Sequence, residues 1–361
     1  MPLLRDAYLR HAAYYLAVLM EAGHLYEKGG IEIKKGLALF DRERLNINAS
    51  QSRIKKYITV DTEAAEICTL YPDAGANLIP LRLTLSERIQ WLEDGISAAR
   101  QIGNRQAETF HTGNLGKIYR ALGMPRRAIE YLERAIQSSH QEGDRRHEAM
   151  GLGHLAMAYC DIDEVSQALK ILESALDIIR AEQDQHIEGS ILGKLGTVNS
   201  LLGNNTVAIR FYEQQLNIAE GTKDAISEAE AASNLGLCYF KLGQPSLALK
   251  FLMRASTIYD ELGDNRHKVP ILNSLGLIYL NTNEPRRALH IFEQQEILSR
   301  QGEDPIGEGR ALINQAEAYY MLSDRAGAIN KAEAALEIYR NIESADIKKV
   351  LVRLDEWRKE V

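Results

Sequence analysis

Six segments spaced forty residues apart carry one pattern: NLGKIY from Asn114, HLAMAY from His154, KLGTVN from Lys194, NLGLCY from Asn234, SLGLIY from Ser274 and NQAEAY from Asn314. Two further registers keep the same step. Alanine recurs at 128, 168, 208, 248, 288 and 328, and aspartate at 144, 184, 224, 264 and 304, with Asn104 and Ser344 at the two ends of the series. Three registers holding one period over six units make the chain a repeat array. Each unit then buries its apolar face only by stacking on its neighbours.

Each unit reads as a helical hairpin. Asp144 suits the N-cap of a first helix, and Glu148 suits its first turn, where a carboxylate meets the positive end of the helix dipole. Leu115, Ile118, Tyr119 and Leu122 recur at helical spacing. Gly123, Gly203 and Gly243 close that helix, and Pro125, Pro245 and Pro285 open the next. Ala128, Leu132 and Ala135 share one face of the second helix. The mid-helix small residues Gly116, Ala156, Gly196, Gly236, Gly276 and Ala316 form a register of their own. A mid-helix glycine costs about 1 kcal/mol relative to alanine, so close approach of the partner helix, with Ala128 and its equivalents as the matching small face, is the expected gain. The fold class is all-α, a right-handed superhelical solenoid of stacked helical hairpins with a concave face.

The order Leu115, Gly116, Tyr119, Ala128 and Ala135, with a proline opening the second helix, resembles the tetratricopeptide repeat. The forty-residue spacing is similar to that of Partner-of-Inscuteable-type adaptors, kinesin light chains and many bacterial signalling proteins. The resemblance covers residues 104–343 and implies a fold rather than a particular ligand. It also implies a groove lined mainly by first helices, in which asparagines at the Asn114 register touch ligand backbone.

The two ends depart from the period. Residues 1–103 are expected to be divergent helical units capping the array: two helical segments meeting at Gly29-Gly30, a first helix broken by Pro72 and Pro80, and a second helix, SERIQWLEDGISAARQIGN, that is in register. The RHAAYYL stretch is similar to the segment that leads into such repeats in bacterial STAND-class signalling ATPases, yet no GxxxxGK[ST] phosphate loop occurs. Residues 344–361 place Ile347, Val350, Leu351, Leu354 and Trp357 on one helical face, expected to be a C-terminal cap with a partner-binding helix as the alternative.

Composition narrows the function. The formal charge is −7 and no long basic run is present, which argues against nucleic acid as the partner. Cys68, Cys160 and Cys238 lie far apart and form no CxxC pair, so reduced, packed thiols and a cytoplasmic location are expected. No signal peptide or membrane-length apolar run is read. Neither HExxH nor GxSxG occurs, and no nucleophile with a base can be assembled, so no catalytic residue, metal or cofactor is expected and the chain reads as a non-enzyme.

What remains is a surface. On the first helix, residues 110, 113, 114, 117 and 121 form a stripe expected to face away from the second helix, with Leu115 and Tyr119 turned to the core. The Asn114 register reads Asn114, His154, Lys194, Asn234, Ser274 and Asn314, all polar. The Lys117 register reads Lys117, Met157, Thr197, Leu237, Leu277 and Glu317, apolar in its middle. Amides that both donate and accept, beside apolar side chains, suit an extended peptide. The candidate partner-binding residues are therefore Asn114, Lys117, Arg120, His154, Met157, Lys194, Asn234, Leu237, Leu277 and Asn314, with Lys117, Arg120 and Lys194 favouring an acidic segment. The function read from this surface is a peptide- or protein-binding scaffold, an adaptor or sensor module in signalling. A regulatory ligand-sensing domain acting on a STAND-type ATPase, and a structural repeat protein that self-associates through its ends, stay open as alternatives.

Overall fold

The computed structural model describes residues 2–28, 31–75 and 78–359. Among them the regular elements are eighteen α-helices and one 3-10 turn, Lys55–Tyr57, with no strand. The chain falls into two compact units, Met1–Val198 and Asn199–Val361.

The first unit begins with α1 (Pro2–Glu27) and α2 (Ile31–Ile54), which pack against each other; their expected junction at Gly29-Gly30 lies outside the described residues. Helix α3 (Thr62–Leu70) stops just before Pro72, and Pro80 sits in the first turn of the four-residue α4 (Ile79–Arg82), so the prolines break this region as the sequence indicates. Helix α5 (Leu85–Gln101) opens with a capping box between Thr84 and Glu87. Trp91 on α5 is buried and meets Tyr71 edge-to-face, with ring centroids 5.7 Å apart. Regular hairpins follow: α6 (Arg105–Ala121) with α7 (Pro125–Glu142), then α8 (Arg145–Cys160) with α9 (Val165–Glu182), and α10 (Gln185–Leu201).

The second unit continues with α11 (Asn205–Thr222), pairs α12 (Ala225–Lys241) with α13 (Pro245–Leu262), α14 (Asn265–Asn281) with α15 (Pro285–Gln301) and α16 (Pro305–Met321) with α17 (Arg325–Asn341), and ends in α18 (Ile347–Lys359). Helix α18 lays Val350, Leu354 and Trp357 into a cluster with Ala328, Ala332 and Leu336 of α17, while Leu351 is exposed, so its buried face is narrower than the sequence pattern suggested.

Local rules account for the hairpins. Asn104, Asp144, Asp184, Asp224, Asp264 and Asp304 each accept a hydrogen bond from the backbone N–H three residues on, which satisfies one free donor at the start of each first helix. Pro125, Pro245 and Pro285 occupy the first position of α7, α13 and α15, where a missing N–H costs nothing. The turn between the two helices needs a left-handed residue. Gly123 supplies it at φ 70°, and in three other repeats the same slot is filled by Asp163 at φ 63°, Asn283 at φ 60° and Ser323 at φ 62°. The shared period therefore imposes the backbone even where the residue is not glycine.

Mid-helix glycines mark close approach, as expected, but the neighbour differs. A Cβ on Gly116 would stand 2.6 Å from Cγ of Leu132 and 3.2 Å from the carbonyl oxygen of Ala128. Small residues on the second helix bring the backbones together, and a leucine side chain fills the space beside the glycine. The core follows the same registers: Leu115, Ile118, Tyr119, Ala128 and Leu132 are buried together.

Candidate functional site

In the first unit, Phe110, Gly113, Asn114 and Lys117 follow one another along one side of α6, at the three- and four-residue steps that share a helix face. Two cavities adjoin this row, and both are bordered by Phe110, Asn114 and Lys117. The larger, about 240 Å³, lies between α5 and α6 under a wall of Pro72, Ile79, Pro80 and Trp91, with Arg88 at its edge. The smaller, about 40 Å³, is bounded by Gly113, Leu132, Ala135, Met150, Gly151 and His154. The stripe expected to face away from the second helix is thus corrected in part. Leu132, Ala135 and Ser139 of α7 line the same cavity as Phe110, Gly113 and Asn114, because glycine at 113 leaves α7 visible from that side. Ala121, the last member of the stripe, is exposed and borders neither cavity.

The structure brings Asn114, Lys117, Arg120, His154 and Lys194 into one neighbourhood on the first unit. His154 is half-buried, and burial together with the positive charges of Lys194, Lys117 and Arg120 pushes its pKa down to about 3, so it is a neutral imidazole at neutral pH. Arg120 is less available than the sequence implied. Its guanidinium donates to both carboxylate oxygens of Asp161, at 2.6 and 3.3 Å. Lys194 donates to the Ser190 hydroxyl at 2.6 Å and to the Ser190 carbonyl at 3.3 Å. Lys117 is solvent-accessible yet hemmed in by protein, and this crowding and then Arg88 lower its ammonium pKa, against the pull of Asp73. Met157 is half-buried beside this group on α8.

In the second unit, Asn234 and Leu237 stand on α12, Leu277 on α14 and Asn314 on α16. Leu237 and Leu277 are each 37 % exposed, which is high for leucines on packed helices. The polar ladder is partly spent on itself. The Asn314 side-chain amide donates to the side-chain Oδ1 of Asn273 at 2.8 Å, and the Ser274 hydroxyl donates to the Pro270 backbone carbonyl at 3.0 Å. Glu317, at the register of Lys117, pairs with Arg353 of α18 at 2.7 Å. Contacts between stacked first helices run from residue i to i+41: Arg120 to Asp161, Asn273 to Asn314, and Ser200 to Lys241.

Three residues that are not among the candidates read from the sequence belong to this region. The Arg88 side chain has no hydrogen-bond or ion-pair partner among the described residues, and burial lowers its pKa. His111 is fully buried; its Nε2 lies 3.0 Å from the Thr69 carbonyl and its Nδ1 3.6 Å from Oδ1 of Asp73. Burial raises the Asp73 pKa to about 6. Only the breaks at Pro72 and Pro80 signalled that this corner differs from a regular repeat. Among the described residues, no three His, Cys, Asp or Glu side chains converge as a metal site, and no helix is long and apolar enough to cross a membrane.

The sequence matches the tetratricopeptide repeat over residues 147–221 and 227–294, and a second repeat model of the same name over 112–146. No curated protein matches it. Among solved structures, it is similar to the STAND protein with a tetratricopeptide repeat sensor from Pyrococcus horikoshii, at 17 % identity and TM-score 0.62, over 97 % of this chain and 54 % of that one. It is also similar to the apo quorum sensor NprR of B. thuringiensis, at 16 % identity and TM-score 0.61 over 85 % of each chain. A third likeness is BtubC of P. vanneervenii, at 19 % identity and TM-score 0.54, over 61 % of this chain and 90 % of that one. Stacked helical pairs, aspartate caps, proline-opened second helices and the matched segments together make this chain a tetratricopeptide-repeat protein.

Proposed function

We propose that this chain binds an extended peptide or protein segment along the exposed sides of its first helices, as a non-enzymatic adaptor or sensor module. One observation carries the reading. The Asn114 side chain has no hydrogen-bond partner among the described residues and stands where two adjoining cavities meet, so its amide is free to donate to and accept from a peptide backbone. Apolar side chains of a ligand would enter the cavities on either side. Asn234, Leu237 and Leu277 offer the same polar-beside-apolar arrangement in the second unit. In this reading residues 1–103 and 344–361 close the ends of a six-repeat array over 104–343, and Cys68, Cys160 and Cys238 are free thiols suited to the cytoplasm. A Rap protein solved in complex with competence and sporulation factor is a structural likeness of this chain, at 15 % identity and TM-score 0.53, and fits a peptide ligand.

A second reading, a sensor domain acting on a STAND-type ATPase, draws on the likeness to the P. horikoshii protein, which includes the non-repeat N-terminal hundred residues. The two separate by experiment. A partner recovered by pull-down and mass spectrometry is titrated against wild type and the Asn114→Ala/Asn234→Ala variant. Two lost backbone hydrogen bonds, at about 0.5–1.5 kcal/mol each, predict roughly a five- to hundredfold weaker Kd with an unchanged melting temperature. Unchanged affinity in the folded variant rejects the first-helix surface.

A further inference from the structure

We propose that the cavity beside Ser299, in the second unit, binds a small planar azole: a free molecule whose aromatic ring carries one N–H and one bare nitrogen, as imidazole does. The site uses none of the residues assigned to the peptide and does not depend on that reading. The cavity holds about 580 Å³ and is walled by Val269, Leu298, Ser299, Pro305 and Ile306. The repeat period identifies what is missing from it. One repeat earlier, the corresponding positions hold Tyr259, which is buried, and His267, and their rings stack with centroids 5.4 Å apart. Forty residues on, the tyrosine is replaced by Ser299 and the histidine by Gly307. The backbone frame is kept, since Asp304 caps α16 as Asp264 caps α14. Two rings are thus absent from a frame that holds them in the preceding repeat, and the cavity lies at that place.

The polar groups left behind select the ring. In the other aspartate-capped first helices, Oδ2 of the capping residue is engaged. His147 and His267 donate a ring N–H to Asp144 and Asp264 at 2.7 and 2.6 Å, the Ser227 hydroxyl donates to Asp224 at 2.8 Å, and Arg146 pairs with Asp184 at 3.3 Å. Oδ2 of Asp304 has no such partner among the described residues, because Gly307 has no side chain to offer. Arg266, three repeats on from Arg146, edges the cavity but forms no ion pair with Asp304. The Ser299 side chain is 1 % exposed, and its hydroxyl also lacks a partner. A ring N–H donated to Asp304 repeats the bond that His267 makes, now from a ligand, as a charge-assisted hydrogen bond. The Ser299 hydroxyl donates to the bare nitrogen, which satisfies a buried polar group that is costly to leave unpaired. Apolar walls with a few convergent polar groups are the usual make-up of a small-molecule site.

The probes are benzimidazole and 1-methylbenzimidazole, two rings of nearly the same shape that differ in the N–H. Each is titrated at up to millimolar concentration against the full chain, at a pH where both are uncharged, and binding is read by ligand-observed NMR. Benzimidazole is expected to bind about tenfold or more tighter than its methylated twin, the scale of one charge-assisted hydrogen bond. Asp304→Asn keeps a good helix cap but places an amide donor where the free carboxylate oxygen stands, so the preference should fall to near parity. Ser299→Tyr/Gly307→His restores the pair present at 259 and 267 and should abolish binding of both rings. Because asparagine caps helices about as well as aspartate, Asp304→Asn carries the test even if the ring-restoring variant unfolds. Three results overturn the azole site: no binding of either ring, equal binding of the two to wild type, or an N–H preference that survives Asp304→Asn.

Discussion

Gly236 and Leu252 are so close that a Cβ on the glycine would stand 2.6 Å from Cγ of the leucine, with the Ala248 carbonyl oxygen 3.1 Å away. Glycine in the middle of α12 gives up about 1 kcal/mol of helix propensity to permit this approach. Gly236→Leu is therefore expected to destabilise the protein by about 1–3 kcal/mol through overpacking, measured by thermal or urea melts. Gly236→Ala alone gains propensity but loses more to the clash. In a double-mutant cycle with Leu252→Ala, the alanine at 236 becomes less costly. An additive cycle means that the leucine is not what enforces the glycine.

His154 and Asp73 predict opposite pH effects. Folded His154 titrates at about 3 and its unfolded form near 6.5, so the unfolded state binds the extra proton in between. Its contribution is complete above about pH 6.5 and is lost as the pH falls toward 3. Asp73 rises from 3.8 to about 6 on folding, so here the native state binds the extra proton and stability falls as pH rises through that window. Relative to wild type, His154→Gln should lose least stability between pH 7 and 4, by at least about 1 kcal/mol. Asp73→Asn should gain most at pH 7. Urea melts across this range check both, and parallel curves for wild type and His154→Gln count against a neutral, cation-flanked imidazole.

Trp357 holds the final helix. Its ring is 1 % exposed and stacks on Tyr320 at 5.4 Å between centroids, and the Arg325 guanidinium donates to its carbonyl. Trp357→Ala removes a large buried side chain at a cost of about 3–5 kcal/mol. In a repeat array that loss falls mainly on the terminal element. Hydrogen exchange over 347–359 should accelerate while α12 and α13 keep their protection. Unchanged exchange in α18 means that the tryptophan is not its anchor.

How much of this was legible in the sequence depends on distance along the chain. The caps at Asp144 and Asp264 act on a backbone N–H three residues away, so residue type and position suffice. The left-handed turns at Asp163 and Ser323 are invisible in residue type and follow only from the period they share with Gly123. The positions of the candidate binding residues relative to their neighbours were legible only in part. Asn114 and Lys117 do border cavities, but the engagement of Arg120 by Asp161 and of Asn314 by Asn273 lies at i+41, one residue off the register used to build the ladder. The corner formed by Arg88, Asp73 and His111 was not legible. His111 meets Asp73 and Thr69 through the packing of α3, α5 and α6, which the broken helix at Pro72 hides from any periodic reading.

Site-specific photo-cross-linking tests the central claim most directly. A benzophenone amino acid replaces, one at a time, Lys117 and Leu237 on first helices and Glu130 on the exposed side of α7. With a partner recovered from the source cell, irradiation should link it through positions 117 and 237 and leave position 130 unlinked. Cross-links from position 130 alone would place the partner on the second helices and contradict the account.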